Sequence, residues 1–193
     1  LVHLNLSSME PKLGGSSFGQ SIGHLFSEAP TVNDPAYFVK AFNILQELID
    51  EQLILSGHDI SAGGLLTAVA EMCFANTTGG VELTISGSNA STLETLFSEN
   101  PGVIIQVKND RKVEAILEGA GIAFRTIGRP IESRNLEVIS SEKRWSFDLD
   151  ALRENWMKTS WLLDRKQTLP ELADQRFKHY KHHALEMDLK GFE

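Results

Sequence analysis

The stretch His58-Asp59-Ile60-Ser61-Ala62-Gly63-Gly64, H-D-I-S-A-G-G, decides how this chain is read. His58 to Ile60 is a short extended piece. Ser61 is placed to cap a helix whose apolar positions Leu65, Leu66, Val69, Met72 and Cys73 recur at helical spacing. A turn of this kind is a ready anion site, because the first N–H groups of a helix lack intrahelical partners and the helix dipole adds positive potential there. Asp59 offers a hard carboxylate oxygen, the ligand type that Mg2+ takes. Gly63 and Gly64 carry no side chain, so a phosphate can come close to the backbone. A plainer reading fits the same residues: a capped helix whose glycines serve only the packing of helix on sheet. Spacing alone leaves the two level.

Upstream, Leu1 to Leu6 alternates weakly, as a strand does, and a chain opening inside a strand is expected to be a piece of something longer. Leu13-Gly14-Gly15-Ser16-Ser17-Phe18-Gly19 is a Gly/Ser loop opening a short helix over Phe18 to Phe26. Its successive N–H groups at Gly14, Gly15, Ser16 and Ser17 can cradle a phosphate. No lysine follows, so it is not a Walker loop, and local sequence favours a surface loop. Asn33 or Asp34 caps a long helix with Pro35 in its first turn. Phe38, Ala41, Phe42, Leu45, Leu48, Ile49 and Leu53 are its expected core face, and Gly57 breaks the pattern.

Downstream, strands are expected at Val81 to Ile85, Val103 to Val107 and Ile122 to Ile127, and helices at Leu93 to Phe97 and Arg111 to Leu117. Leu136 to Ile139 and Arg144 to Phe147 read as a hairpin. Together these predict an α/β (α+β) domain over residues 1–148: a mixed sheet with packed helices. Residues 149–193 read as a helical tail, with Leu149 to Leu163 rich in Trp and a last helix opened by Pro170.

The chain has 193 residues, enough for one domain with a real core plus an appendage. Its formal net charge of -8 argues against a nucleic-acid surface. No apolar run is long enough for a membrane span. One cysteine, Cys73, forbids an internal disulfide and fits a reducing, cytoplasmic setting. It lies on the apolar side of its helix without an evident base, so it reads as structural rather than nucleophilic. Glu71 reads as a solvated helix residue. His179, His182 and His183 lack further ligands for a metal. Trp145, Trp156 and Trp161 read as anchoring the tail by burial rather than stacking on a base.

Read together, the motifs resemble a known family. H-D-I-S-A-G-G-L-L-T-A-V-A-E-M-C-F-A-N, His58 to Asn76, is similar to the carboxy-terminal domains of the aminoimidazole-ribonucleotide-synthetase superfamily. L-G-G-S-S-F-G, Leu13 to Gly19, and P-G-V-I-I-Q-V, Pro101 to Val107, resemble the second such repeat of the phosphoribosylformylglycinamidine synthase family. R-E-N-W-M-K-T-S-W-L-L-D-R, Arg153 to Arg165, with A-D-Q at Ala173 to Gln175, looks like the connector to the glutaminase domain in its large, single-chain form.

The resemblance implies a domain of an ATP-dependent ligase of purine biosynthesis. Such enzymes convert formylglycinamide ribonucleotide, glutamine and ATP to formylglycinamidine ribonucleotide. It implies Mg2+ at Asp59 and nucleotide (ATP or ADP) at Ser61, with His58, Gly63 and Gly64 beside it, in an auxiliary rather than catalytic site. It also implies that the partners are the remaining synthetase domains and the glutaminase domain of the same polypeptide, and that the fragment alone is inactive. Ala62 stands where relatives often carry Asp, and the Gly14-Gly15 loop lacks the basic residues of a substrate-phosphate loop. Rival readings are another ATP-using member of the superfamily (a selenophosphate synthetase, a hydrogenase-maturation protein or a thiamine-phosphate kinase) and a non-catalytic scaffold whose H-D-I-S turn is only a helix start.

Overall fold

The computed structural model describes residues 1–85, 90–141, 143–179 and 181. The chain divides into two compact units, Leu1–Leu149 and Asp150–Glu193.

The first unit is built on two four-stranded sheets. β1 (Val2–Asn5), β2 (Ile54–Asp59), β4 (Gly102–Val107) and β5 (Phe124–Thr126) form one, in the order β2-β4-β1-β5 and antiparallel throughout. β3 (Gly80–Ile85), β6 (Gly128–Ile131), β7 (Asn135–Ser140) and β8 (Arg144–Asp148) form the other, in the order β6-β3-β7-β8. There β3 and β7 run parallel and the outer pairs antiparallel. The mixed α/β architecture expected from the sequence is present, divided over two sheets. β7 and β8 are the predicted hairpin.

α2 (Pro35–Asp50) begins where its sequence says: the Asp34 carboxylate accepts from the Ala36 and Tyr37 amides. Its Ala41, Leu45 and Leu48 pack with Val113 and Leu117 of α5 (Asp110–Gly119) on Val2, Leu4 and Ile105 of the first sheet. This core leaves no room for the whole predicted face. Phe42 and Ile49 stay about half exposed, and Leu53 lies beyond the helix end. Gly57 is no breaker of a helix; it lies within β2. Ile104 alternates to the opposite face from Ile105 and is fully buried. On β2 and β4 packs α3 (Gly64–Phe74), which also touches β3 and the short α4 (Thr92–Phe97).

β6 was not legible. It contains Pro130, which lacks the N–H a central strand needs, but β6 is an edge strand. α1 (Ser17–Ser21) is shorter than the predicted Phe18–Phe26 helix.

The second unit holds the helices α6 (Leu149–Gln167), which begins at the last residue of the first unit, and α7 (Pro170–Lys178). Trp161 stacks on Phe177, with ring centroids 4.8 Å apart, and its Nε1 donates to Asp174 at 2.9 Å. Arg176 grips the Asp164 carboxylate through Nε and Nη2. Trp161 is therefore an anchor, but Trp156 is 53% exposed and Trp145 half-buried, which corrects the expected burial of all three. His179 closes α7; His182 and His183 lie outside the described residues.

Candidate functional site

The H-D-I-S-A-G-G segment leaves the first sheet at the end of β2 and enters α3. Ile60 still donates its amide to Gly102 at 2.8 Å, so the strand pairing carries up to the turn. The helix then starts later than predicted. Ser61 does not cap it: α3 begins at Gly64, Gly63 is the capping residue, and no side chain caps. The cause is two consecutive left-handed residues, Gly63 at φ +88° and Gly64 at φ +70°, a conformation L side chains avoid. Ser61 contributes instead its carbonyl, which accepts from the Gly64 amide at 3.0 Å.

The two glycines differ in what surrounds them. Gly64 is buried, and a β-carbon there would lie within 2.8 Å of the Leu96 and Phe97 backbone. It is a packing glycine where α3 meets α4. Gly63 is half-buried, and its amide donates at 2.8 Å to Glu99 Oε1. Ser61 and Ala62, by contrast, are exposed. Among the described residues neither their amides nor the Ser61 hydroxyl makes a hydrogen bond within the chain. The open donors of the turn are therefore at Ser61 and Ala62.

Asp59 ends β2 with its side chain 75% exposed. His58 stands between two carboxylates: Nδ1 is 3.5 Å from Asp59 Oδ1, and Nε2 is 3.4 Å from Glu71 Oε2. Glu71 is thus part of this cluster and only 21% exposed, which corrects its reading as a solvated helix residue. It lies on α3 and comes beside β2 because the helix packs back on the strand it follows. Among the described residues no three His, Cys, Asp or Glu side chains are placed to hold a metal ion together. Asp59 offers an accessible carboxylate, and the side chains described around it do not complete a metal site.

The Gly/Ser loop spends its N–H groups inside the chain. Gly14 donates to Glu28 O, Gly15 to Leu25 O and Ser16 to Leu13 O, while Ser17 donates to Glu99 Oε1 at 2.8 Å. As folded, it offers no open amide cradle. Its Ser16 hydroxyl is the N-cap of α1, accepting from Gly19. A β-carbon on Gly14 would fall 2.3 Å from the Glu28 carbonyl, so this glycine is required by a close chain crossing.

Glu99 is the residue sequence reasoning missed. One of its oxygens ties the loop of Ser17 to the turn of Gly63. Its only local signal is position: an acidic side chain between the buried polar residues Ser98 and Asn100, directly ahead of an apolar strand. Asn100 secures the same region, its Oδ1 accepting from the Lys12 amide and its Nδ2 donating to Ser7 Oγ and Glu10 O.

Beside this region a cavity of about 260 Å3 is lined by His3, Asn5, Thr95, Asn100 and Arg125 among others. Burial, reinforced by the Arg125 charge, pushes the His3 imidazole down to about 4, so it is neutral at pH 7. Cys73 is buried, and burial pushes its thiol up, with Arg134 opposing. This suits the structural role expected of it.

Residues 1–141 match the family described as AIR synthase related protein, C-terminal domain. The probable chloroplastic/mitochondrial phosphoribosylformylglycinamidine synthase of Arabidopsis thaliana is 31% identical over 188 residues, which cover 93% of this chain and 13% of that protein. The phosphoribosylformylglycinamidine synthase of Homo sapiens is 30% identical over 176 residues, 88% of this chain and again 13% of that protein. The chain therefore spans only about an eighth of the length of these relatives. Among solved structures, T. maritima PurL complexed with ATP aligns with a TM-score of 0.60 at 16% identity, over 79% of this chain and 25% of that one. A chain of the HypE-HypF complex aligns with a TM-score of 0.50 at 14% identity, over 77% of this chain and 52% of that one. At such identities the two structural likenesses concern the fold alone.

Proposed function

Because the chain belongs to the AIR synthase related proteins, as their C-terminal domain, we propose that it serves as the second carboxy-terminal synthetase domain of a large, single-chain phosphoribosylformylglycinamidine synthase. Residues 149–193, with α6 and α7, are then the connector toward a glutaminase domain, and the other synthetase domains of that polypeptide are its partners. The ligase reaction belongs to the whole polypeptide. This domain contributes part of an auxiliary Mg-nucleotide site.

One observation carries the site assignment: an exposed Asp59 carboxylate stands two residues before Ser61 and three before Ala62, whose amides are open. Open amides and a serine hydroxyl suit phosphate oxygens. A bound Mg2+ would neutralise phosphate charge, with Asp59 supplying one of its oxygens. His58 sets the Asp59 side of the turn, its Nδ1 lying 2.7 Å from the Asp59 carbonyl oxygen. Gly63 and Gly64 shape the turn from beneath, and Gly14 to Ser17 are assigned to packing.

The test is Asp59→Ala in the intact enzyme. It should purify without bound Mg-ADP and melt lower than wild type. Unchanged nucleotide content and melting temperature would leave the turn as a plain helix start in a scaffold domain. Ammonia-dependent turnover of formylglycinamide ribonucleotide by residues 1–193 alone would refute the assignment of an auxiliary, inactive domain.

A further inference from the structure

The amides of Ser17, which opens α1, and of Gly63, in the turn before α3, lie 46 positions apart, yet both donate to one atom, Glu99 Oε1, each at 2.8 Å. Two backbone donors converging on one anionic oxygen is how a protein holds a bound carboxylate or phosphate. Here the anion comes from the chain itself. We infer that Glu99 is a built-in anion: its carboxylate occupies the oxyanion position made by the Gly/Ser loop and the H-D-I-S-A-G-G turn, clasps the two together, and closes that position to external phosphate. The inference stands on the geometry of these three residues. It holds whether or not Asp59 and Ser61 meet a nucleotide.

Three features of the surroundings agree. Glu99 is half-buried, so its charge is partly withdrawn from water and gains from N–H donors. The turn it fixes carries two left-handed glycines, which have the least intrinsic preference for a single shape. The aromatic rings of Phe18 and Phe97 stack 4.5 Å apart, one residue after Ser17 and two before Glu99, so the clasp sits on a packed base rather than in a mobile loop. The consequence is a division of labour along the turn. The Gly63 amide is committed inward, and only the Ser61 and Ala62 amides remain for a ligand.

Chemical rescue tests this on the 193-residue chain. Glu99→Ala removes the anion and leaves both amides facing vacated space. With two charge-assisted hydrogen bonds lost, its melting temperature should fall by on the order of 5 °C. Formate or inorganic phosphate should then recover much of that loss at an ionic strength where chloride recovers little, and should leave wild type unmoved. Formate no more effective than chloride in the variant would overturn the proposal. A second measurement needs no variant. In the unaltered chain the Ser17 and Gly63 amides should exchange with deuterium roughly tenfold or more slowly than those of Ser61 and Ala62. Equal rates would also overturn it.

Discussion

A β-carbon placed on Gly64 would stand 2.7 Å from the carbonyl carbon of Phe97. The two helices α3 and α4 meet there backbone to backbone, at a residue that also needs φ +70°. Substitution meets both penalties at once: a left-handed alanine and a collision with main chain that has no rotamer to change. Gly64→Ala should therefore lose on the order of 3 kcal/mol, or roughly 6–12 °C of melting temperature. Gly119→Ala is the control. Gly119 ends α5 with nothing within 4 Å of its would-be β-carbon and no positive φ. It should be neutral or gain up to ~1 kcal/mol. Thermal melts of both variants decide the matter, and a Gly64→Ala melt within a degree or two of wild type would show that α4 moves aside cheaply.

The phenol of Tyr37 joins three elements. It donates to the Asn5 carbonyl of β1 at 2.9 Å and accepts from the Ala123 amide, just before β5, at 2.8 Å. Removing the oxygen strands one backbone donor and one backbone acceptor while leaving the ring in place. Tyr37→Phe should cost about 1–3 kcal/mol, seen as a lower urea midpoint with an unchanged denaturant slope. An unchanged midpoint would mean that water serves both groups.

What the sequence revealed and what it hid follow one division. Features held by neighbours in the chain were legible. Asp34 with Pro35 announces α2, and the apolar run after Gly102 announces β4, because caps and periodicity act over a few residues. The turn at His58 to Gly64 was located correctly but misread inside: Ser61 looks like a cap because serine often is one, whereas two left-handed glycines postpone the helix by two residues. α2 shows another limit. Its apolar stripe is wider than the surface available on the sheet, and no local pattern says that Phe42 and Ile49 are the side chains left out. Glu99 could not be seen at all, since its two partners lie 82 and 36 positions away.

Arg134 makes another long-range tie. Its Nη1 donates to the carbonyls of Cys73, at the end of α3, and Gly79, at the entry to β3, both at 3.1 Å. A planar, multi-donor head is suited to serving two carbonyls, and a methionine of similar reach serves neither. Arg134→Met should lose about 2 kcal/mol. Urea unfolding would measure it, and a midpoint equal to wild type would show that the two carbonyls need no protein donor.

The last prediction concerns acid. His3 sits with its imidazole lowered from the ordinary 6.5 to about 4, chiefly by burial and secondarily by the Arg125 charge. As pH falls from 7, the unfolded chain takes up this proton near 6.5, while the folded chain does not until about 4. Between those values the unfolded state binds more protons, so stability must fall as pH falls. The contribution is fully present above about 6.5, and about 3 kcal/mol of it is lost by pH 4. The lowered carboxyls of Glu94, Glu137 and Asp164 act in the same direction at lower pH. Wild type must therefore be compared with a variant that retains them. His3→Gln keeps a polar group of similar size without the titration, and its stability should decline less steeply between pH 6.5 and 4. Parallel curves for the two proteins, or an NMR titration that finds His3 protonating near 6.5, would sink the idea that the folded chain holds this ring neutral.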